Sequence, residues 1–343
     1  MRSHIRTVVV LAVAVALIAL FLHNVDLRGV LTAISRAQPE WLALSLTTMV
    51  ANLAIRSLRW KYLLEPLAPT TFASAFRATA VGFAASTVLP ARAGEVIRPY
   101  FLARQARQDQ GERMTATGAF ATIILERLLD VVTVLILPSY VFVFGRGLSQ
   151  ANPVMYAAVA WAGGTAAAVS LVALVVLFAL AGDPARLGRM MTRLEQVVPS
   201  ALAVLIARIA EKFARGLGAI RRPGRLLVAL AWSFPLWLSI AVGIWAVTVA
   251  FRFDVPFTGS FLLIAFLVIG VAVPTPGAIG GFHEAFRVGT TMVFGAPDDA
   301  AVGAAIVLHV FSIGPSLVLG LFFAAQEGLN MGGMRRLANE AGR

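Results

Sequence analysis

Six stretches of this chain, at roughly residues 7–23, 41–60, 115–145, 154–181, 225–251 and 299–326, are apolar over about 17 residues or more. A bilayer core about 30 Å thick, crossed by a helix rising about 1.5 Å per residue, asks for stretches of this length. Each therefore reads as a membrane span, and the expected fold class is an all-α polytopic membrane protein with about six transmembrane helices. Composition agrees: the 343 residues are 59% hydrophobic and only 13% charged, whereas soluble domains sit near 45–50% and about 25%. The chain has no cysteine, which excludes disulfides, thiolate metal sites and a cysteine nucleophile, and no metal or cofactor is expected. The opening "MRSHIR" and its apolar run resemble a signal peptide, but "FLHNVDL" offers no small-residue cleavage site, so the run reads as an uncleaved first span.

Two further apolar runs, 72–90 and 258–273, differ from the six. Each ends in proline and glycine and is followed by a more polar half-segment, the pattern of re-entrant helical hairpins over 72–108 and 258–295. Loop charge orients the chain, since short cytoplasmic loops collect Lys and Arg. Arg2 and Arg6 at the start, the cluster after residue 90, and residues 183–225, with nine Lys or Arg against three acids, all read as cytoplasmic. The segment 24–40 balances Arg28 and Arg36 against Asp26 and Glu40 and reads as an outside loop.

On this topology residues 1–145 form one membrane repeat of three spans and a cytoplasm-facing hairpin. Residues 154–326 form a second with a hairpin facing outside, and 327–343 are a cytoplasmic tail. Three crossings per half place the second upside down relative to the first, an inverted-topology repeat. "LPARAGEVIR" (89–98) and "PTPGAIGGFHEAFR" (274–287) support the pairing, because both run from Pro through Gly to Glu-x-x-Arg. The net charge of +12 then reads as attraction to anionic headgroups at the cytoplasmic surface, with amphipathic pieces in 183–225 resting on them, rather than to nucleic acid. The expected location is a bacterial inner membrane, multi-pass, with both termini cytoplasmic; an oligomer is compatible with this reading.

Candidate functional residues gather where the apolar pattern breaks. Pro274 and Pro276 remove backbone donors, and Gly277, Gly280 and Gly281 allow turns that side chains would block. Pro90 and Gly94 do the same in the first hairpin. Broken helix at membrane depth is tolerated only where protein buries it or where it lines a watery cavity, so these residues are candidate gates. The helix restarting near Gly281 carries Glu284 and Arg287; its counterpart carries Glu95 and Arg98, after Arg92. In "ILERLLD", Glu126, Arg127 and Asp130 lie near the middle of a span, where charge is costly and usually functional. Arg56 and Arg59 of "RSLRW" are candidate partners for those carboxylates, with Trp60 expected to mark the interface. Against these readings stand plainer ones: each Glu-x-x-Arg as an intrahelical ion pair, and Arg56 and Arg59 snorkelling to headgroups. His309, inside the last span, and His283 are candidates for a proton relay, although a lone histidine there also serves simply to bond a neighbouring helix. "FHEAF" has no second histidine at zinc-protease spacing, and no phosphate-binding G-x-x-x-x-G-K-[ST] loop occurs.

Four motifs in order, "RSLRWKYLL" (56–64), "LPARAGEVIRPYFL" (89–102), "ERLLD" (126–130) and "PTPGAIGGFHEAF" (274–286), together resemble the lysylphosphatidylglycerol synthase transmembrane region, a flippase-like family of bacterial and archaeal inner membranes. The resemblance covers nearly the whole chain. It implies the lipid-translocating portion of such proteins without the fused domain that makes the aminoacylated lipid from aminoacyl-tRNA, and hence no tRNA partner. Stand-alone members are linked to other lipids, including isoprenoid or hopanoid-type molecules, so the substrate does not carry over. The family pattern often has Gly-Gly directly after Pro-Thr-Pro; here Pro276 is followed by Gly277 and Ala278.

The expected function is a lipid flippase or transporter for an anionic or phosphate-bearing lipid, aminoacylated or isoprenoid types included. Arg56, Arg59, Arg92, Arg98, Arg127 and Arg287 would hold the headgroup, opposed by Glu95, Glu126, Asp130 and Glu284. Arginine suits the role because its planar donors match phosphate oxygens in pairs. The alternatives are an intramembrane enzyme acting on a lipid phosphate or glycosyl donor, and a non-transporting scaffold for a lipid-modifying enzyme.

Overall fold

A computed structural model describes residues 26–89, 93–110, 114–144, 223–272 and 275–327, with Trp161, Thr165, Ala168 and Val172. The expected spans at 7–23 and 154–181, all but the last few residues of the basic stretch 183–225, the gate residues Pro90 and Pro274, and the candidate headgroup-binding Arg92 lie outside them, apart from those four residues. The described residues are helical, with no strand among them. In chain order the helices are α1 (Leu27–Ser35), α2 (Pro39–Leu64), α3 (Phe72–Val88), α4 (Gly94–Gln110), α5 (Ala116–Phe144), α6 (Pro223–Ala250), α7 (Gly259–Ala272), α8 (Gly281–Val288) and α9 (Asp298–Gln326).

Local chemistry places the helix ends. The Asp26 side chain accepts from Arg28 N and starts α1, Pro39 stands in the first turn of α2, and the Thr71 hydroxyl accepts from Ser74 N at the start of α3. α3 stops just before Pro90, whose ring disfavours helical backbone in the preceding residue. Residues 27–35, expected as part of an outside loop, are a helix instead. Its exposed Leu27 and Leu31 share one side, a period that the charge balance of the segment conceals.

Pro39–Leu64, Gly224–Ala250 and Asp298–Gln326 are long and apolar enough to cross a membrane. α5 has the length, 29 residues, but carries Glu126, Arg127 and Asp130 near its middle. α7, with 14 residues, reaches only about 21 Å and falls short of a bilayer core. Each broken segment folds back on itself at a pair of glycines. Gly82 of α3 lies against Gly94 of α4, and Gly270 of α7 against Gly281 of α8, so closely that a Cβ on either Gly94 or Gly270 would strike the partner's carbonyl. Only glycine permits that backbone approach.

The turn at the second hairpin's tip, Pro276–Ala278, packs against α3, where a side chain added at Gly277 would lie 3.5 Å from Thr87 Cγ2. α3 is therefore held between α4, the tip of the other hairpin and α9, whose Gly320 meets the Ala80 carbonyl. On the far side α2 packs along α6, where Asn52 Nδ2 donates to Leu236 O at 2.9 Å and to Ser239 Oγ at 3.0 Å.

Candidate functional site

α2, α4, α5 and α6 converge on a cluster of charge. One turn apart on α2, Arg56 and Arg59 face Glu126 and Asp130, which share a side of α5 because they are four residues apart. Arg59 Nη1 donates to Asp130 Oδ1 at 2.6 Å and to Ser233 Oγ of α6 at 2.7 Å, and its Nη2 reaches Glu126 Oε1 at 3.5 Å. Trp237 Nε1 also donates to Asp130 Oδ1, at 3.1 Å. Arg56 Nη1 lies 3.5 Å from Asp130 Oδ2. From α4, Arg98 Nη1 donates to Glu126 Oε2 at 2.8 Å while its guanidinium lies 3.7 Å from the Trp60 ring centroid, a close cation–π contact.

These charges do not snorkel. Arg59 and Glu126 are fully buried, and Arg98, Asp130 and Arg56 are 3%, 4% and 7% exposed. Trp60, expected at the membrane interface, is also fully buried, with Nε1 donating to Thr122 Oγ1 at 2.9 Å. It forms the floor under Arg98, and the need for an apolar face beneath a buried guanidinium accounts for its place. The first Glu-x-x-Arg is not an intrahelical pair either: Arg98 turns to Glu126, while Glu95 pairs with Arg127 at 3.4 Å. Arg127 lies 3.4 Å from Asp130 as well, and the Glu95–Arg127 pair is about one-third exposed, so it forms the outer edge of the cluster.

Among the described residues, three buried guanidinium groups, Arg56, Arg59 and Arg98, face two buried carboxylates, Glu126 and Asp130, so these five side chains together carry one surplus positive charge. The edge pair Glu95–Arg127 leaves that balance unchanged. Arg59 is braced by two carboxylates and a hydroxyl, but Arg98 Nε and Nη2 have no hydrogen-bond partner among the described residues. A cleft of about 20 Å³ opens beside Arg98, between Gly82 and Ser86 of α3 and Gly94, Glu95 and Arg127.

The second hairpin gathers other candidates. His283 Nδ1 accepts from Gly280 N at 3.2 Å, and His309 Nε2 bonds Gly277 O at 2.7 Å, with the two imidazole centroids 4.4 Å apart. The histidines of two distant segments thus meet at the tip and satisfy a turn in which Gly277, Ala278 and Gly280 all have positive φ. Glu284 and Arg287 do form the intrahelical contact, at 3.4 Å, and Arg287 Nε also donates to Asp298 Oδ1 at 2.7 Å near the start of α9. Among the described residues the ion pairs of Glu284 and Arg287 join these two to each other and to Asp298, whereas those of Arg56, Arg59 and Arg98 run to Glu126 and Asp130. Among the described residues no group of three or more His, Asp or Glu could hold a metal ion.

Sequence reasoning missed Ser233, Trp237 and Thr122. A hydroxyl or an indole inside an apolar span carries no pattern of its own, and only the approach of α6 and α5 to α2 assigns these a partner. The nearest signal was polarity beside a helix-interior proline, Ser233 and Trp237 flanking Pro235.

One family model, described as "Lysylphosphatidylglycerol synthase TM region", matches residues 7–320. The chain belongs to that family and is a multi-pass membrane protein. No curated protein matches the chain.

Proposed function

We propose that this member of the lysylphosphatidylglycerol synthase transmembrane-region family moves a lipid with an anionic or phosphate-bearing headgroup between the leaflets of a bacterial inner membrane. The observation that carries the reading is the surplus positive charge buried where α2, α4 and α5 meet, in a chain whose family is associated with membrane lipids. An uncompensated ion in a low-dielectric interior costs several kcal/mol. An anionic group removes that cost on arriving, which makes the cluster a station that a headgroup phosphate occupies for part of a cycle.

The two hairpins supply the gates. They meet at α3, each closed on a glycine pair and one tied by the histidine contacts at its tip. In this reading they approach from opposite leaflets in an inverted repeat, residues 1–145 against 154–326, and Arg287 with Glu284 serves the outer gate. The basic segment 183–225 and both termini lie on the cytoplasmic side against anionic headgroups. The chain alters no covalent bond and takes neither cofactor nor nucleic acid.

The test is reconstitution into vesicles containing fluorescent anionic lipids, with leaflet exchange followed by bleaching the outer pool. Wild type exchanges the lipids, and Arg98→Ala and Arg287→Ala each slow exchange about tenfold or more, the loss expected when an interaction worth about 1.4 kcal/mol or more is removed. Equal exchange by all three proteins overturns the reading.

A further inference from the structure

Within that reading, we infer that the group held at the cluster is a single phosphodiester, a monoanion with two free oxygens, and that the side-on edge of Arg98 takes it. The arginines of the cluster are not equivalent. Arg59 is fully buried with both terminal nitrogens engaged by Asp130, Glu126 and Ser233, and only its Nε is left unpartnered among the described residues. Arg56 faces Asp130. Arg98 spends only Nη1, on Glu126, and leaves Nε and Nη2 unpartnered among the described residues while being 3% exposed.

These two nitrogens lie on the same side of the guanidinium, and their N–H bonds run parallel. This is the fork that matches two oxygens on one phosphorus or carbon. The Trp60 ring centroid lies 3.7 Å from the guanidinium carbon, and the two nitrogens of this edge are buried as well as unpartnered among the described residues. The cleft beside Arg98 is the way in, with the Ser86 side chain at its wall and the Glu95–Arg127 pair, one-third exposed, at its margin. At about 20 Å³ it has room for roughly one water, so a phosphate enters only as the Glu95–Arg127 pair shifts outward.

Charge sets the class. The five buried side chains together carry one surplus positive charge, so a monoanion neutralises it. A phosphomonoester, with a second pKa near 6, would leave a net negative charge buried at pH 8. Glu126 opposes the ligand through its charge, because its carboxylate holds the same guanidinium from the Nη1 side.

The full chain in a phosphate-free maltoside detergent is titrated at pH 8 with phosphatidylglycerol, phosphatidic acid, diacylglycerol and dimethyl phosphate. Tryptophan emission is the readout, and Trp60→Phe identifies the share of the signal that comes from Trp60 among the six tryptophans. Saturable Trp60-dependent change with phosphatidylglycerol, at least tenfold weaker with phosphatidic acid and absent with diacylglycerol, supports the site. Response to dimethyl phosphate as well assigns recognition to the phosphodiester alone, whereas response to the lipid only adds the acyl chains.

Arg98→Lys, which keeps the charge and loses the fork, weakens binding at least tenfold. Glu126→Gln, which keeps an acceptor and removes the competing charge, tightens it several-fold, an effect that damage to the fold would not produce. Binding by Arg98→Lys within twofold of wild type overturns the site. So does the absence of tightening in Glu126→Gln, which decides the matter if Arg98→Lys does not fold, and so does preference for phosphatidic acid. If wild type exchanges lipid but Arg98→Lys binds normally, this inference fails and the transport reading stands. If wild type binds as described yet exchanges nothing, the transport reading fails and the site stands.

Discussion

Replacing Gly94 by alanine tests the hinge of the first hairpin and the charge cluster together. A Cβ at position 94 would lie 2.7 Å from the Gly82 carbonyl carbon and closer still to its oxygen, where ordinary van der Waals contact begins at 3.4 Å. Both sides of the contact are helix backbone, so no flexible side chain can yield, and α4 must move away from α3 by more than about 0.7 Å, the shortfall to the carbonyl carbon, because the oxygen is closer still. Arg98 lies one turn along α4, and its side chain leaves the helix just where Gly82 sits: a Cβ on Gly82 would be 2.7 Å from Arg98 Cβ. A shift of that size disturbs the 2.8 Å Arg98–Glu126 contact, which leaves good hydrogen-bond length once it lengthens past about 3.2 Å. Overpacking costs about 1–3 kcal/mol, and a broken buried ion pair about 3–5 kcal/mol. Weakening without full loss places the sum at about 2–4 kcal/mol. Unfolding of the detergent-solubilised protein, followed by heat or denaturant, measures it. Gly314→Ala is the control, because nothing lies within 4 Å of the added carbon, and relief of a helix-interior glycine should stabilise by about 0.5–1 kcal/mol. Equal stability of Gly94→Ala and wild type would refute the close approach and the dependence of Arg98 on it.

Three further outcomes follow from the same contacts. Arg59→Leu takes from the buried Asp130 its closest partner and from Glu126 its second, and destabilises by about 3–5 kcal/mol; adding Asp130→Leu costs less than the two single losses summed, by about 1 kcal/mol or more in a double-mutant cycle. Gly280→Ala forces an L-residue to φ 87° and costs about 1–3 kcal/mol, read as a lower unfolding midpoint. The Arg287–Asp298 pair, with side chains 22% and 47% exposed, is screened by solvent, so its coupling in a double-mutant cycle is below about 1 kcal/mol and falls further in high salt.

How far the sequence could be read depended on whether a residue carries its meaning in its own neighbourhood. The breaks before Pro90 and at 273–280 were legible because Pro and Gly act on the backbone where they stand; α3 ends at Val88 and α8 begins at Gly281 as the pattern requires. Glu126 and Asp130 were legible as a buried pair in need of arginine, since four residues make one turn and no lipid solvates a carboxylate. The identity of the arginines was harder. Arg56 and Arg59 stood as candidate partners beside the plainer reading of snorkelling, and Glu95 and Arg98, one turn apart, invited an intrahelical pair that the structure does not contain; each reaches across to α5 instead. Trp60 misled for the same reason, because an indole beside arginines suits an interface as well as a buried stack.

By itself, then, the sequence determined that this chain lives in a membrane as helices, that two of its apolar runs are interrupted, and which residue types had to be buried as ions. Length, hydropathy and proline chemistry act along the chain and need no neighbours. Only the tertiary structure decided that Arg98 binds Glu126 while stacked on Trp60, that Ser233 and Trp237 complete the Arg59–Asp130 contact, and that two histidines 26 residues apart close the second hairpin's tip. Partner choice among buried ions is a matter of distance in a medium that screens little, and those distances are set by how glycine lets helices approach, not by spacing along the chain.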